Sequence, residues 1–153
     1  MAKDGILLID GFNLIITLEV ALAGSVLIRG GDDVLRDLAG LHGTYRLISQ
    51  TDQALDLIGR MLEKLAVPEA RFFLDAPVSN SGKLKSRILG HAAGWQLPVA
   101  VDLAANADAV LDQKERIVTS DSILLDRCAS WLNLSSIIVR ESIPNAWIVC
   151  LGT

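Results

Sequence analysis

The chain is short of cysteine, of positive charge and of the glycine-rich signatures that mark nucleotide sites. Its two cysteines, Cys128 and Cys150, lack metal-ligand spacing and are too few for a disulfide framework. Inert thiols in a reducing cytoplasm are the expectation. Eighteen Asp and Glu against fourteen Lys and Arg leave a net charge of −4. General attraction to nucleic acid does not follow, which weighs against a dedicated binder with a phosphate-neutralising face. It weighs less against a nuclease, whose acidic pocket lowers the total. No GxxxxGK[ST] or GxGxxG segment occurs, and nothing resembles a Ser or Cys triad, so nucleotide triphosphate and dinucleotide enzymes are weak alternatives. The apolar stretch at residues 11–28 is interrupted by Asn13, Glu19 and Gly24. A buried helix is therefore expected there, and no membrane partner. No signal peptide is read before the first apolar run, since MAKDG leads straight into ILLID.

What is present is an alternation of short apolar runs with helical runs. At 153 residues, 51% of them hydrophobic, the chain is long enough for one domain with a substantial core, taken as 1–153. Strands are predicted at residues 6–10, 71–75, 97–101, 116–119 and 136–139, with an edge strand at 147–151. Helices are predicted at 12–23, 53–66, 82–93, 108–113 and 122–132, the last with Ser120 as a cap. In the second of these, Leu55, Ile58, Leu62 and Leu65 form the apolar stripe, and Thr51 or Asp52 can cap it. Turn-sized connections between alternating elements predict an α/β fold: a mostly parallel sheet with helices on both faces. Residues 25–50 break the pattern with GGDD, a helix-like VLRDLAGL and HGTYR, and read as an insertion.

Four aspartates each close or follow a short apolar run: Asp10 in GILLIDGFNL, Asp75 in RFFLDAPVS, Asp108 in LAANADAVL and Asp121 in RIVTSDSILL. In an open parallel sheet, ligands collect at the carboxyl ends of the strands. Aspartates far apart in sequence can meet there. Such carboxylates repel unless a cation neutralises them, and an all-oxygen set favours Mg²⁺ or Mn²⁺ over zinc. Gly11 allows a tight turn after the first strand, so that Asp10 and Asn13 can face one pocket. The plainer readings are a helix-capping Asp10 and a turn-forming Asp75.

IDGFN, FLDAP, NADAVL and VTSDSIL, in this order and spacing, resemble the acidic motifs of the PIN-like metal-dependent ribonuclease superfamily. The NYN branch is nearest, through its Asp-Gly-x-Asn turn. The resemblance runs from Ile6 to Val139 and implies a three-layer α/β/α sandwich. It also implies carboxylate-bound Mg²⁺ or Mn²⁺ and cleavage of RNA by metal-activated water. Carried over residue by residue, Asp10, Asp108 and Asp121 match the first, third and fourth acidic positions. Asp75 matches the acid after the second strand in the NYN branch. All four are thus implied catalytic and metal-binding residues.

The run GDDVLRDLAGLHGTYR departs from this pattern and also looks like a poorly characterised PIN-related family. Helical spacing would put Asp33, Arg36 and Asp37 on one face, and His42 and Arg46 complete a candidate second polar cluster. A self-paired surface helix and a hydrogen-bonding loop histidine are the plainer readings. Lys83 and Lys85, with Arg87, follow the Asp75 loop and could hold a phosphate backbone beside the crevice. Asn13 and Arg36 are the other substrate-binding candidates. Glu19 could ligate or project to solvent. Trp95, Trp131 and Trp147 read as core or interface residues, compatible with a homodimer. The function expected is metal-dependent hydrolysis of RNA. Two rivals stand beside it. One is a non-catalytic module in which Arg36 replaces the metal charge, and the other a phosphohydrolase of small phosphorylated compounds.

Overall fold

The computed structural model describes residues 2–38 and 43–151. His42, and part of the segment read as an insertion, lie outside the described residues. In chain order the elements are β1 (Ile6–Asp10), α1 (Gly11–Leu22), β2 (Val26–Arg29), β3 (Leu35–Asp37), α2 (Ser49–Lys64), β4 (Glu69–Asp75) and α3 (Ser81–Ala92). There follow β5 (Val99–Ala104), α4 (Ala107–Leu111), β6 (Ile117–Val118), α5 (Ser122–Arg127), α6 (Leu134–Ser142) and β7 (Trp147–Cys150).

Strands β1 and β4 form the centre of a four-stranded sheet of order β5-β4-β1-β6. Every pairing in it is parallel, with Asp10 beside Phe73 and Asp75 beside Ala104. The carboxyl ends of the four strands therefore share one edge. Side chains alternate between two cores, as a two-residue period requires. Leu7, Ile9, Phe72, Leu74 and Val118 join the larger core, built with α1, α2, α3 and α6. Phe73 and Ile117 join a smaller one, completed by Ala107 and Leu111 of α4 and Leu124 of α5. Helices thus flank the parallel sheet, as the alternation of elements predicts.

Helix α1 is apolar on most of its surface because it is buried on most of it, with Leu14, Ile15 and Leu18 almost without exposure. Among the described residues no helix is long and apolar enough to cross a membrane. The predicted stripe of α2 is buried at Leu55, Ile58 and Leu62, with Leu65 at its C-terminal cap, though the helix starts earlier than predicted, at Ser49. Gly59 on α2 leaves room for the Trp95 indole, which a Cβ would strike, and the indole in turn rests on Phe72 at a ring separation of 6.4 Å. Gly11 plays a similar part. Its φ is not positive, so the tight-turn role predicted for it is replaced by close approach to Leu74 and the Phe73 carbonyl of β4.

Three expectations are corrected. Residues 136–139 are not a strand but lie in α6. The β-branched run there concealed a helical spacing of Leu134, Ile138 and Val139, all buried. The helix predicted over 122–132 stops at Arg127, and its cap is Asp121, not Ser120. The helix-like VLRDLAGL carries strand β3 instead. It pairs antiparallel with β2, and β7 pairs parallel with β2's other side, giving a second sheet of order β3-β2-β7. GGDD is the turn of this hairpin: Asp33 takes φ +65°, and Asp32 accepts a hydrogen bond from the Val34 N–H. Asp33, Arg36 and Asp37 consequently do not form one helix face. An Asp-rich turn between apolar runs was the available signal for a hairpin.

Candidate functional site

At the carboxyl edge of the parallel sheet a cleft of about 520 Å³ is lined by Asp10, Asp75, Asp108 and Asp121 together with Asn13, Arg36 and Asp37. All four strand-end aspartates predicted to meet do meet. Each reaches the cleft by its own route. Asp10 ends β1, and the Thr119 hydroxyl donates to its Oδ2 at 2.8 Å. Asp75 ends β4, and its Oδ1 accepts the Ala107 N–H at 2.7 Å, fastening the start of α4 to the strand. Asp108 stands exposed on the first turn of α4. Asp121 caps α5, its Oδ1 accepting the Ile123 and Leu124 N–H groups at 2.9 and 3.1 Å. In Asp10, Asp75 and Asp121 one carboxylate oxygen is thus pinned by a donor of the chain, which orients the other.

The electrostatics are those of crowded acids. Burial, opposed by the Thr119 hydrogen bond and reinforced by the charges of Asp108, Asp75 and Asp121, pushes the Asp10 carboxyl up to about 7. Partial loss of water, then Asp121 and Asp75, raises Asp108 as well. Among the described residues, Arg36 is the basic side chain that lines this cleft, but it is occupied elsewhere. Its Nε donates to the Ser120 carbonyl at 2.8 Å, and its Nη2 pairs with Asp32 at 2.9 Å. The self-paired Arg36–Asp37 arrangement is therefore replaced by Arg36–Asp32.

Ser120 is the junction of the site. The Asn13 amide holds it twice, donating through Nδ2 to Ser120 Oγ at 2.5 Å and accepting the Ser120 N–H on Oδ1 at 3.0 Å. Asn13 and Arg36 thus clamp the Thr119–Ser120–Asp121 turn from two sides. Both are placed in the cleft, but their bonds go to the turn that carries Asp121. Neither Thr119 nor Ser120 was among the predicted site residues. The hydroxyl pair in VTSD, directly before a strand-end acid, was the signal.

Other expectations are displaced. Lys83 does not border the acidic cleft. It lines a separate cavity of about 880 Å³, and Lys85 lines neither. Arg46 lies with Lys83. Glu19 does not project to solvent and does not line the acidic cleft. It is buried, and its Oε2 accepts hydrogen bonds from Tyr45 and Thr51. Trp95 and Trp131 pack against the two cores, while Trp147 is exposed.

The donor set suits a hard divalent cation, being all oxygen and convergent. Arg36, the basic residue among the described ones that line the cleft, is already paired with Asp32. Among the described residues, no group of three or more His, Cys, Asp or Glu side chains is arranged to hold a metal ion as it stands. Closing on one ion would take side-chain rotation, with Asp108, exposed and with no hydrogen bond to hold it, the least constrained of the four.

Comparison with known proteins places this geometry in a family. An uncharacterized protein of Methanocaldococcus jannaschii, MJ0935, is 32% identical over 123 residues, covering 80% of this chain and 59% of that protein. The chain therefore spans about three fifths of the relative's length. No solved structure matches it. The family model described as Domain of unknown function (DUF5616) matches residues 1–137, taking in all four aspartates, and the chain belongs to that family.

Proposed function

We propose that the protein is a PIN-like, Mg²⁺- or Mn²⁺-dependent nuclease that hydrolyses RNA phosphodiesters. The observation that carries this reading is Asp10. It is a buried carboxylate with one hydroxyl donor and four further carboxylates lining its cleft, three of which raise its pKa, at the sheet edge where α/β folds bind ligands. A charge so placed is costly without an external cation. Asp10, Asp75, Asp108 and Asp121 would hold the metal, and the pinned oxygens of three of them supply the orientation. A bound Mg²⁺ or Mn²⁺ would lower the pKa of its water and offset charge on the scissile phosphate. Asn13 acts through Ser120 as a positioning residue for Asp121. The non-catalytic rival needs Arg36 to neutralise the acids, and Arg36 is committed to Asp32 and Ser120 instead. The two thiols, both free, suit a reducing cytoplasm.

The test is calorimetric titration with Mn²⁺ followed by incubation with single-stranded RNA. Binding is expected, with cleavage that Asp108→Asn or Asp121→Asn abolishes while the circular dichroism of the fold is retained. Absence of divalent binding at millimolar concentration would defeat the metal site. Binding without RNA cleavage, but with hydrolysis of small phosphoesters, would move the reading to a phosphohydrolase.

A further inference from the structure

A second cavity, larger than the acidic cleft and opposite to it in charge, runs along one face of α3. The spacing of Lys83, Ser86, Arg87, Gly90 and His91 sets this face against it, and Arg46 also lines it. Arg87 and His91 are already paired, both with Asp52 and His91 also with Asp56. Arg46 and Lys83 are not. Among the described residues neither has an acidic partner, although the chain as a whole carries excess negative charge. Two unpaired cations facing one cavity in an acidic protein leave room for an anion from outside.

The cavity wall is built, not incidental. Tyr45, next to Arg46, is fixed at every polar atom. Its N–H donates to Ser79 Oγ at 2.9 Å, its carbonyl accepts from Asn80 Nδ2 at 2.6 Å, and its hydroxyl donates to the buried Glu19 at 2.6 Å. The Tyr45 ring meets Phe12 edge-on at 5.2 Å. Phe12 lines the acidic cleft. A smaller cavity of about 400 Å³, bordered by Tyr45, shares Arg46 and Asn80 with the cationic one. The edge-on pair of buried rings, Tyr45 and Phe12, therefore stands between the two oppositely charged sites.

We propose that the cavity of Arg46 and Lys83 binds a phosphate of the RNA strand whose scissile phosphate lies in the acidic cleft. This inference rests on the nuclease reading above. Phosphate is the ligand chemistry indicated, because compact anions pair with unneutralised Arg and Lys. A strand, rather than a small phosphorylated molecule, is indicated by the short separation of the two sites, bridged by that one pair of packed rings. The acidic cleft repels a polyanion. A cationic subsite at a distance supplies the attraction that the cleft itself lacks.

The test uses fluorescence anisotropy of labelled single-stranded RNA in EDTA, where cleavage cannot occur, across a salt series. Wild type is compared with the Arg46→Ala/Lys83→Ala double variant. The variant is expected to bind roughly tenfold more weakly, with a log–log salt slope shallower by about 1.4, about 0.7 for each lost contact to a single strand. Arg46→Lys/Lys83→Arg should restore the slope, and Lys114→Ala, before β6 at the opposite sheet edge, should not change it. A mononucleotide with a single phosphate, unable to engage the cavity and the cleft together, should compete for wild type at least roughly tenfold more weakly than the long RNA. Equal affinity and slope for wild type and double variant on the long RNA would overturn the proposal. So would a mononucleotide that competes as strongly as the long RNA, which would assign the cavity to a small phosphorylated ligand. The metal-dependent reading fails separately, through missing Mn²⁺ binding with RNA binding in EDTA intact.

Discussion

Asp10 and Glu19 are carboxylates of the same strand–helix unit, both buried, and the chain treats them in opposite ways. Glu19 is satisfied from within. The Tyr45 and Thr51 hydroxyls both aim at its Oε2, and among the described residues no acid adds to its shift. Burial still pushes its carboxyl above the ordinary value, while the two hydrogen bonds pull it back. Asp10 has a single donor, Thr119, and its acidic neighbours reinforce burial instead of opposing it. Burial alone therefore does not mark a functional acid. What separates the two is whether the protein completes the group's coordination itself. Glu19 is a knot that closes the chain on itself, and Asp10 is left open to something the chain does not contain.

The largest effect expected from this contrast is in pH. The folded pKa of Asp10, about 7, lies above its unfolded value near 3.8. Between these values the folded state binds the extra proton. The contribution of Asp10 to the stability of the metal-free protein should therefore be full below about pH 4 and be lost as pH rises to about 7, by at most about 4 kcal/mol. Glu19 and Asp108, also raised, act with the same sign. Asp32 and Asp52, both lowered, act with the opposite sign in acid. Urea denaturation in EDTA across this range should show the loss, and Asp10→Asn should flatten part of it and stabilise the protein at higher pH. An unchanged slope in the variant would erase the distinction drawn for Asp10. Mn²⁺ should raise the melting temperature of wild type, by mass action on the folded state, more than that of Asp10→Asn.

Asn13→Ala sharpens the comparison from the supporting side. Freed from its double clamp, the Ser120 turn no longer fixes Asp121, and Mn²⁺ affinity in calorimetry should fall about 10- to 100-fold, as for other outer-shell partners. Retained affinity would show that Arg36 alone suffices. Tyr45→Phe probes Glu19. It removes one of two donors to a buried acid and should destabilise by about 1–3 kcal/mol in urea melts, with Mn²⁺ affinity unchanged. Glu19→Gln should have the smallest effect, within about 1 kcal/mol, because the amide oxygen accepts the same two hydrogen bonds without a buried charge. Were it instead to abolish Mn²⁺ binding, Glu19 would belong with Asp10.

Much of this arrangement is legible in the chain. The apolar runs before Asp10 and Asp75, with helical periodicity between them, predict parallel strands and one shared edge. Strand-end acids are then carried there by topology, wherever they lie in sequence. Local spacing misled where two periods fit the same letters. VLRD reads as a helix but completes a hairpin through the GGDD turn, and SSIIV reads as a strand but packs as helix α6. The partners of the acids were hidden for another reason. Ser120 joins Asn13 and Arg36 only because β6, α1 and β3 converge on one turn.

The sequence by itself determined the period of its elements and the positions of the four acids, since these depend on residues close together along the chain. Tertiary structure decided which charges are answered. It closed Glu19 between Tyr45 and Thr51, turned Arg36 toward Asp32 and away from the acids, and moved Lys83 to a cavity of its own. Those outcomes depend on desolvation and on distances across separate elements, which no spacing along a chain encodes.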